Sequence, residues 1–234
     1  MSARIHFIGC VHGDPQGSER LWKALEYEKP DIITVEFNQD ALEYVETEGI
    51  PLVLQKIDSL GFHPEVADFL KEKMGKPSFG ATAARLYALQ QGIPIHYVDH
   101  PSTISYTKST IAAICNSSKE DFQYHLSSLA SKRMIHSTDK KYLIYQSLFD
   151  KPFSDSEAEE KNQVERGAHL FDHRDTFMAH RIQDVVEAIL PGAKDVHVGG
   201  LAHCLRDDQE LRTLFSCLRH YSPTRATLKW YEGK

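Results

Sequence analysis

The chain has 234 residues, 41% apolar and 26% charged, a balance that supports one sizeable folded core and argues against extended disorder. With 27 basic against 33 acidic side chains and no basic block, it lacks the charge to follow a phosphate backbone, so nucleic acid is not an expected partner. No apolar run approaches the roughly 20 residues needed to span a bilayer, and the N-terminal segment passes directly into Arg4-Ile5-His6-Phe7-Ile8, so the expectation is a cytoplasmic protein with no membrane partner.

In chain order, the first apolar run, Arg4 to Cys10, predicts a strand. Leu21, Trp22, Leu25 and Tyr27 then fall at helical spacing across Gly17 to Glu28, and Pro30 ends that helix just before a second strand at Asp31 to Phe37. Residues 40–48, 51–60, 64–74 and 80–91 read as short helices, with Gly61, Gly75 and Gly92 as breaks, leading to a third strand at Ile93 to Val98. From about Ser102 to Leu190 strand signal is scarce, whereas Ile111, Ile114, Phe122, Leu126, Leu129, Tyr142, Tyr145 and Leu148 recur every three or four residues. Residues 102–170 are therefore expected to form a helical insertion or cap. Its acidic part, Ser154 to Gln163, reads as a solvated face or loop. A helix from Asp172 to Leu190 follows, ended by Pro191-Gly192, then a fourth strand at Asp195 to Gly199. A fifth, Ala226 to Trp230, is expected to close one edge, with an antiparallel sense after Ser222-Pro223-Thr224.

Strands alternating with helices predict one α/β domain over residues 1–234, with a mainly parallel central sheet flanked by helices and the helical insertion before the last parallel strand. In such sheets ligands bind beyond the carboxyl ends of the strands, where loops meet helix N-termini. Polar residues stand at every strand exit: His12 and Asp14 after the first, Glu36 at the end of the second, Asp99-His100 after the third and His203 after the fourth. Gly9 and Gly200 each precede a histidine by three positions, giving the backbone room to turn the imidazole back over the strand end. A carboxylate directly after Ile32-Ile33-Thr34-Val35 lies at the edge of a buried strand, where an unpaired charge is costly.

Two imidazoles and a carboxylate are also suitable ligands for zinc, manganese or cobalt, so His12, Glu36 and His203 form a candidate metal set, with Asp99 as a candidate orienting residue or a helix cap. Arg174 is a candidate for holding a carboxylate or a developing oxyanion, or for a surface salt bridge with Asp172 or Glu187. The histidines at 169, 173 and 180 share helical spacing but lack the glutamate of a zinc-protease helix, and Arg174 and Arg181 beside them oppose a cation, so they read as a polar helix face. Thirteen histidines make haem capture an alternative. Cys10 and Cys204 flank the candidate site, yet the four cysteines form no CxxC pair and are expected to be reduced thiols.

Gly9-Cys10-Val11-His12, the strand ending Val35-Glu36, the helix start Arg174-Asp175-Thr176-Phe177-Met178-Ala179 and the closing Val198-Gly199-Gly200-Leu201-Ala202-His203 together resemble the TraB/PrgY and TIKI/GumN superfamily, itself similar to the erythromycin esterases and the ChaN-like haem-binding proteins. The resemblance implies an α/β fold with a site between two Gly-x-x-His loops and a glutamate. It implies metal-dependent proteolysis if the chain follows the TIKI-like branch, and metal-free ester hydrolysis if it follows the esterase branch. His12, Glu36 and His203 take the central positions and Arg174 that of the family's arginine; Asp175 stands where Asn is frequent.

The expected activity is hydrolysis of an ester or amide bond in a small molecule or peptide, with Glu36 or His12 as general base and Arg174 or a metal on the oxyanion. A non-catalytic module that binds haem, a metal or a signal peptide is the alternative. A homodimer is compatible with the apolar residues of the insertion.

Overall fold

A computed structural model describes residues 4–74, 78–122, 132–150, 172–205 and 213–234. Its centre is a five-stranded sheet, β1 (Arg4–Cys10), β2 (Ile32–Val35), β3 (Ile95–Tyr97), β4 (Lys194–Gly200) and β5 (Thr224–Thr227), in the order β3-β2-β4-β1-β5 with every neighbouring pair parallel. This is the expected α/β fold. The last strand corrects the sequence reading: it begins at Thr224 rather than Ala226 and runs parallel to β1, not antiparallel. The apolar residues Leu228 and Trp230 that drew the reading onward lie in a 3-10 turn, Leu228–Gly233.

The chain travels outward from β1 to β2 and β3, then returns to insert β4 between β1 and β2. Parallel crossovers need covering elements, and the near-continuous burial of β1, β2 and β4 records that both faces are covered. On one face lie α1 (Gly17–Glu28) and α5 (Phe79–Gln91), joined where the Phe79 ring fills the space beside Gly17 and where the Tyr87 hydroxyl donates to Leu25 O. On the other, α8 (Asp172–Ala188) contributes Met178 and Ile182 to the core, and Phe215 of α9 (Leu214–Cys217) meets Phe7 edge-on.

Helices expected over 40–48 and 51–60 are one continuous rod: α2 (Gln39–Tyr44), a π turn (Val45–Gly49) and α3 (Ile50–Ser59). Pro51 has no N–H to give and its ring crowds the carbonyl four residues back, and the wider π turn just before it relieves both conflicts. α4 (Pro64–Met74) follows. Gly61 and Gly92 are left-handed breaks, as expected, whereas Gly75 lies outside the described residues.

Within the expected insertion, α6 (Thr103–Asn116) packs on α2 and α3, where Ile111 and Ile114 join a small apolar cluster of Val53, Ile57, Leu70 and Phe122. α7 (Lys132–Phe149) packs on β5. The acidic stretch 154–163 lies outside the described residues. Among them, no helix is long and apolar enough to cross a membrane.

Candidate active site

The interposition of β4 between β1 and β2 places three carboxyl-terminal strand ends side by side. Cys10 pairs with Gly200 and Val35 with Val198, so the residues that follow β1, β2 and β4 emerge at one rim. Glu36 is held there by its own backbone, its N–H donating to Val198 O at 2.9 Å. Val98 N and Asp99 N donate to Val35 O and Phe37 O, bringing the exit of β3 to the same place.

Glu36, only 8% exposed, is the hub. Its Oε1 accepts from Arg174 Nη2 at 2.8 Å and lies 3.0 Å from His203 Nε2, while its Oε2 accepts from the Gly200 N–H at 2.5 Å. Arg174 enters from the first turn of α8 and is gripped from its other side by Asp99, which accepts from Nε at 2.6 Å and Nη2 at 2.7 Å. Its Nη1 has no partner among the described residues. Asp99 therefore orients a guanidinium, and Arg174 pairs with Glu36 and Asp99 rather than with Glu187, while the Asp172 side chain lies outside the described residues.

His203 sits on the 3-10 turn Leu201–Cys204 and is 3% exposed. Its Nδ1 is 2.6 Å from Asp175 Oδ1, and the other oxygen of that fully buried carboxylate accepts from Leu214 N at 2.7 Å. Burial would strip the imidazole of its proton, but Glu36 and Asp175 on its two nitrogens outweigh that and raise its pKa to about 10. Burial likewise opposes ionisation of Glu36, and His203, Arg174 and the Gly200 N–H together hold its carboxyl well below the usual range. Burial pushes Asp175 up against the pull of His203. The result is an imidazolium between two carboxylates, anchored to a guanidinium.

The sequence alone gives Asp175 no working role. Its one signal there is the departure from the Asn frequent at the equivalent position of the superfamily that this motif resembles. On α8 it lies one residue after Arg174, and both reach the cluster from the first turn of that helix.

His12 completes the group from the loop after β1. That loop is fixed by Tyr142 of α7, whose hydroxyl accepts from Val11 N and donates to Asp14 Oδ2, both at 3.0 Å, and by Arg20, which donates to the same oxygen at 3.0 Å. Gly13, at φ +80°, supplies the left-handed turn directly after the histidine. The position that a Cβ on Gly200 would occupy is 3.3 Å from His12 Nε2, 3.4 Å from Glu36 Oε2 and 3.4 Å from His203 Cδ2. Three side chains from three loops thus surround one glycine. Unlike His203, His12 is exposed and its ring has no hydrogen-bond partner among the described residues.

The other polar candidates stay apart. His173 and His180 are exposed, His169 lies outside the described residues, and His100 bonds to Ser102 and meets the Phe177 ring edge-on. Cys10 and Cys204 are buried, and burial pushes both thiols up, away from the thiolate form a nucleophile needs.

A divalent metal fits this donor set poorly. Both ring nitrogens of His203 already face carboxylates, and Glu36 already meets the Arg174 guanidinium, the His203 ring and the Gly200 N–H, so an ion would have to displace these partners. Among the described residues no group of three or more His, Cys, Asp or Glu side chains is arranged to hold an ion. No protein-family model, no curated protein and no solved structure matches this chain.

Proposed function

We propose that this rim is a hydrolytic centre for an ester or amide bond of a small molecule or peptide, and that the chain is a member of the TraB/PrgY and TIKI/GumN superfamily working in the metal-free manner of its esterase relatives. The observation that carries the reading is the enclosure of Gly200 by His12, Glu36 and His203, with Arg174 bound to the same carboxylate.

The roles follow from the proton inventory. Glu36, held ionised by two cations and a backbone N–H, is too weak a base to deprotonate water; it anchors the cluster. His12, exposed and without a hydrogen-bond partner among the described residues, is the general base that takes a proton from a water attacking the carbonyl carbon. Arg174 keeps Nη1 for the carbonyl oxygen and stabilises the tetrahedral oxyanion, while its grip by Asp99 removes the cost of reorienting it during reaction. Collapse of that intermediate breaks the bond to the leaving alcohol or amine, which takes the proton from His12.

The test is an assay of purified protein against ester and peptide panels, with and without manganese. Turnover independent of manganese, lost in His12→Ala and Glu36→Ala, is the expected result. No turnover under any condition overturns it, and stoichiometric haem or metal on untagged protein would then favour a capture module. Turnover that requires manganese would contradict the metal-free mechanism.

A further inference from the structure

Behind Glu36, within the sheet, Thr34, Asp195 and His197 are fully buried. Register brings them together: Thr34 stands opposite His197, and Asp195 lies two residues before His197 on the same face of β4. Thr34 Oγ1 is 3.0 Å from Asp195 Oδ2 and 3.0 Å from His197 Nδ1. Two atoms remain without a partner among the described residues, His197 Nε2 and Asp195 Oδ1. His197 Nε2 faces the catalytic cluster, because the position of a Cβ on Gly199 is 2.8 Å from it and 3.0 Å from Glu36 Oε2.

A hydroxyl has one proton to give, so this chain of groups can run in only two directions. In the first, Thr34 donates to an Asp195 carboxylate and accepts from His197 Nδ1–H; this leaves a buried anion and turns the bare Nε2 lone pair towards the Glu36 carboxylate. In the second, a neutral Asp195 donates to Thr34, Thr34 donates to Nδ1, and the ring proton sits on Nε2, facing the carboxylate. The second direction removes both the unpaired charge and the repulsion. The acidities agree: burial raises the Asp195 carboxyl to about 7 against the Thr34 hydrogen bonds, and burial lowers His197 to about 3 against the attraction of Glu36, which keeps the ring neutral.

We propose that Asp195 and Thr34 form a positioning relay that fixes His197 as its Nε2–H tautomer and so directs an N–H towards Glu36 from beneath the catalytic cluster. The effect of the relay on rate rests on the hydrolytic reading above; the tautomer itself is a property of the resting protein and is measured without substrate.

The experiment is nitrogen-15 NMR of the histidine side chains in the full chain at mildly acidic pH, with His197 assigned by its loss in His197→Gln. The expected spectrum shows His197 Nε2 as the protonated, pyrrole-type nitrogen and Nδ1 as the unprotonated, pyridine-type nitrogen. Thr34→Val removes the hydroxyl and with it the single tautomer, while Thr34→Ser, which keeps the hydroxyl, restores it. A protonated Nδ1 in the parent, or an unchanged tautomer in a folded Thr34→Val, overturns the relay. Should Thr34→Val not fold, the parent and Thr34→Ser spectra still decide the tautomer. In the assay, Thr34→Val lowers kcat roughly five- to tenfold at constant KM, the rate equivalent of one net buried hydrogen bond. The predicted tautomer in a protein without hydrolytic activity would sink the functional reading and leave the relay standing.

Discussion

Replacing Glu36 with Gln changes almost no volume but removes the charge on which the rim is assembled. The carboxylate meets three donors, Arg174 Nη2 and His203 Nε2 on one oxygen and the Gly200 N–H on the other. A glutamine amide has one oxygen and one NH2, so in either orientation its NH2 opposes a donor. In one flip two N–H groups collide at Gly200; in the other the NH2 faces a guanidinium and an imidazolium. The Glu36 and His203 side chains are only 4% and 3% exposed, so solvent does little to replace the lost carboxylate, although Asp99 and Asp175 each keep one partner on Arg174 and His203. Breaking a buried pair by removing one partner costs about 3–5 kcal/mol, which in a chain of this length corresponds to roughly 6–20 °C in Tm. The assay is thermal and urea denaturation followed by circular dichroism at neutral pH, with Glu19→Gln, at an exposed helical pair, as a control expected to match the parent. A Glu36→Gln protein within about 1 kcal/mol of the parent would refute the reasoning, because the cluster would then not be coupled through that carboxylate.

Other expectations follow from the same geometry. The pKa of His203 is raised from 6.5 to about 10, so its contribution to stability is complete below 6.5 and disappears as pH rises through about 10; Glu36, whose carboxyl is held low, contributes above 4.5 and loses that contribution as pH falls below it. Urea midpoints measured across pH should therefore fall on the alkaline side, and Asp175→Asn should weaken that fall; no dependence between 6.5 and 10 would contradict the imidazolium assignment. For Asp195 the native state holds its proton more tightly, so the stability of the parent relative to Asp195→Asn should drop as pH rises from 3.8 through about 7, read from the same titration. Gly199→Ala would place a methyl 2.8 Å from His197 Nε2 and 3.0 Å from Glu36 Oε2 and should cost about 1–3 kcal/mol in urea, whereas Gly200→Ala, with its nearest contacts at 3.3 and 3.4 Å, should keep more stability and lose activity through displacement of His12.

Much of this arrangement was legible in the sequence because a parallel sheet turns strand ends into neighbours. Once four strands are read with the same sense, Glu36, Asp99, His12 and His203 share a rim whatever their sequence separation. What the pattern did not carry was pairing. The two Gly-x-x-His tetrads look alike, yet His203 lies on a 3-10 turn that buries it between two carboxylates, whereas His12 projects from an exposed turn. Asp175 carries no local mark because its role depends on how α8 is set against the rim, and neither its type nor its spacing encodes that. Thr34, Asp195 and His197 are silent for a related reason: polar residues inside strands look like ordinary alternation until register sets them opposite one another. The sense of β5 is hidden because Ser222-Pro223-Thr224 looks like a hairpin turn, but the strand before it in the chain, β4, is not its neighbour. β5 pairs with β1, and that long-range choice leaves no local mark.

The measurement closest to the heart of the mechanism is chemical rescue of His12→Ala on whichever ester or peptide the parent hydrolyses. The parent should exceed the variant in kcat/KM by on the order of 10²- to 10⁴-fold, and free imidazole added to the variant should restore part of that loss in proportion to its concentration. A His12→Ala protein as active as the parent, or one that imidazole leaves unchanged, would contradict the assignment of the proton-accepting role to this residue.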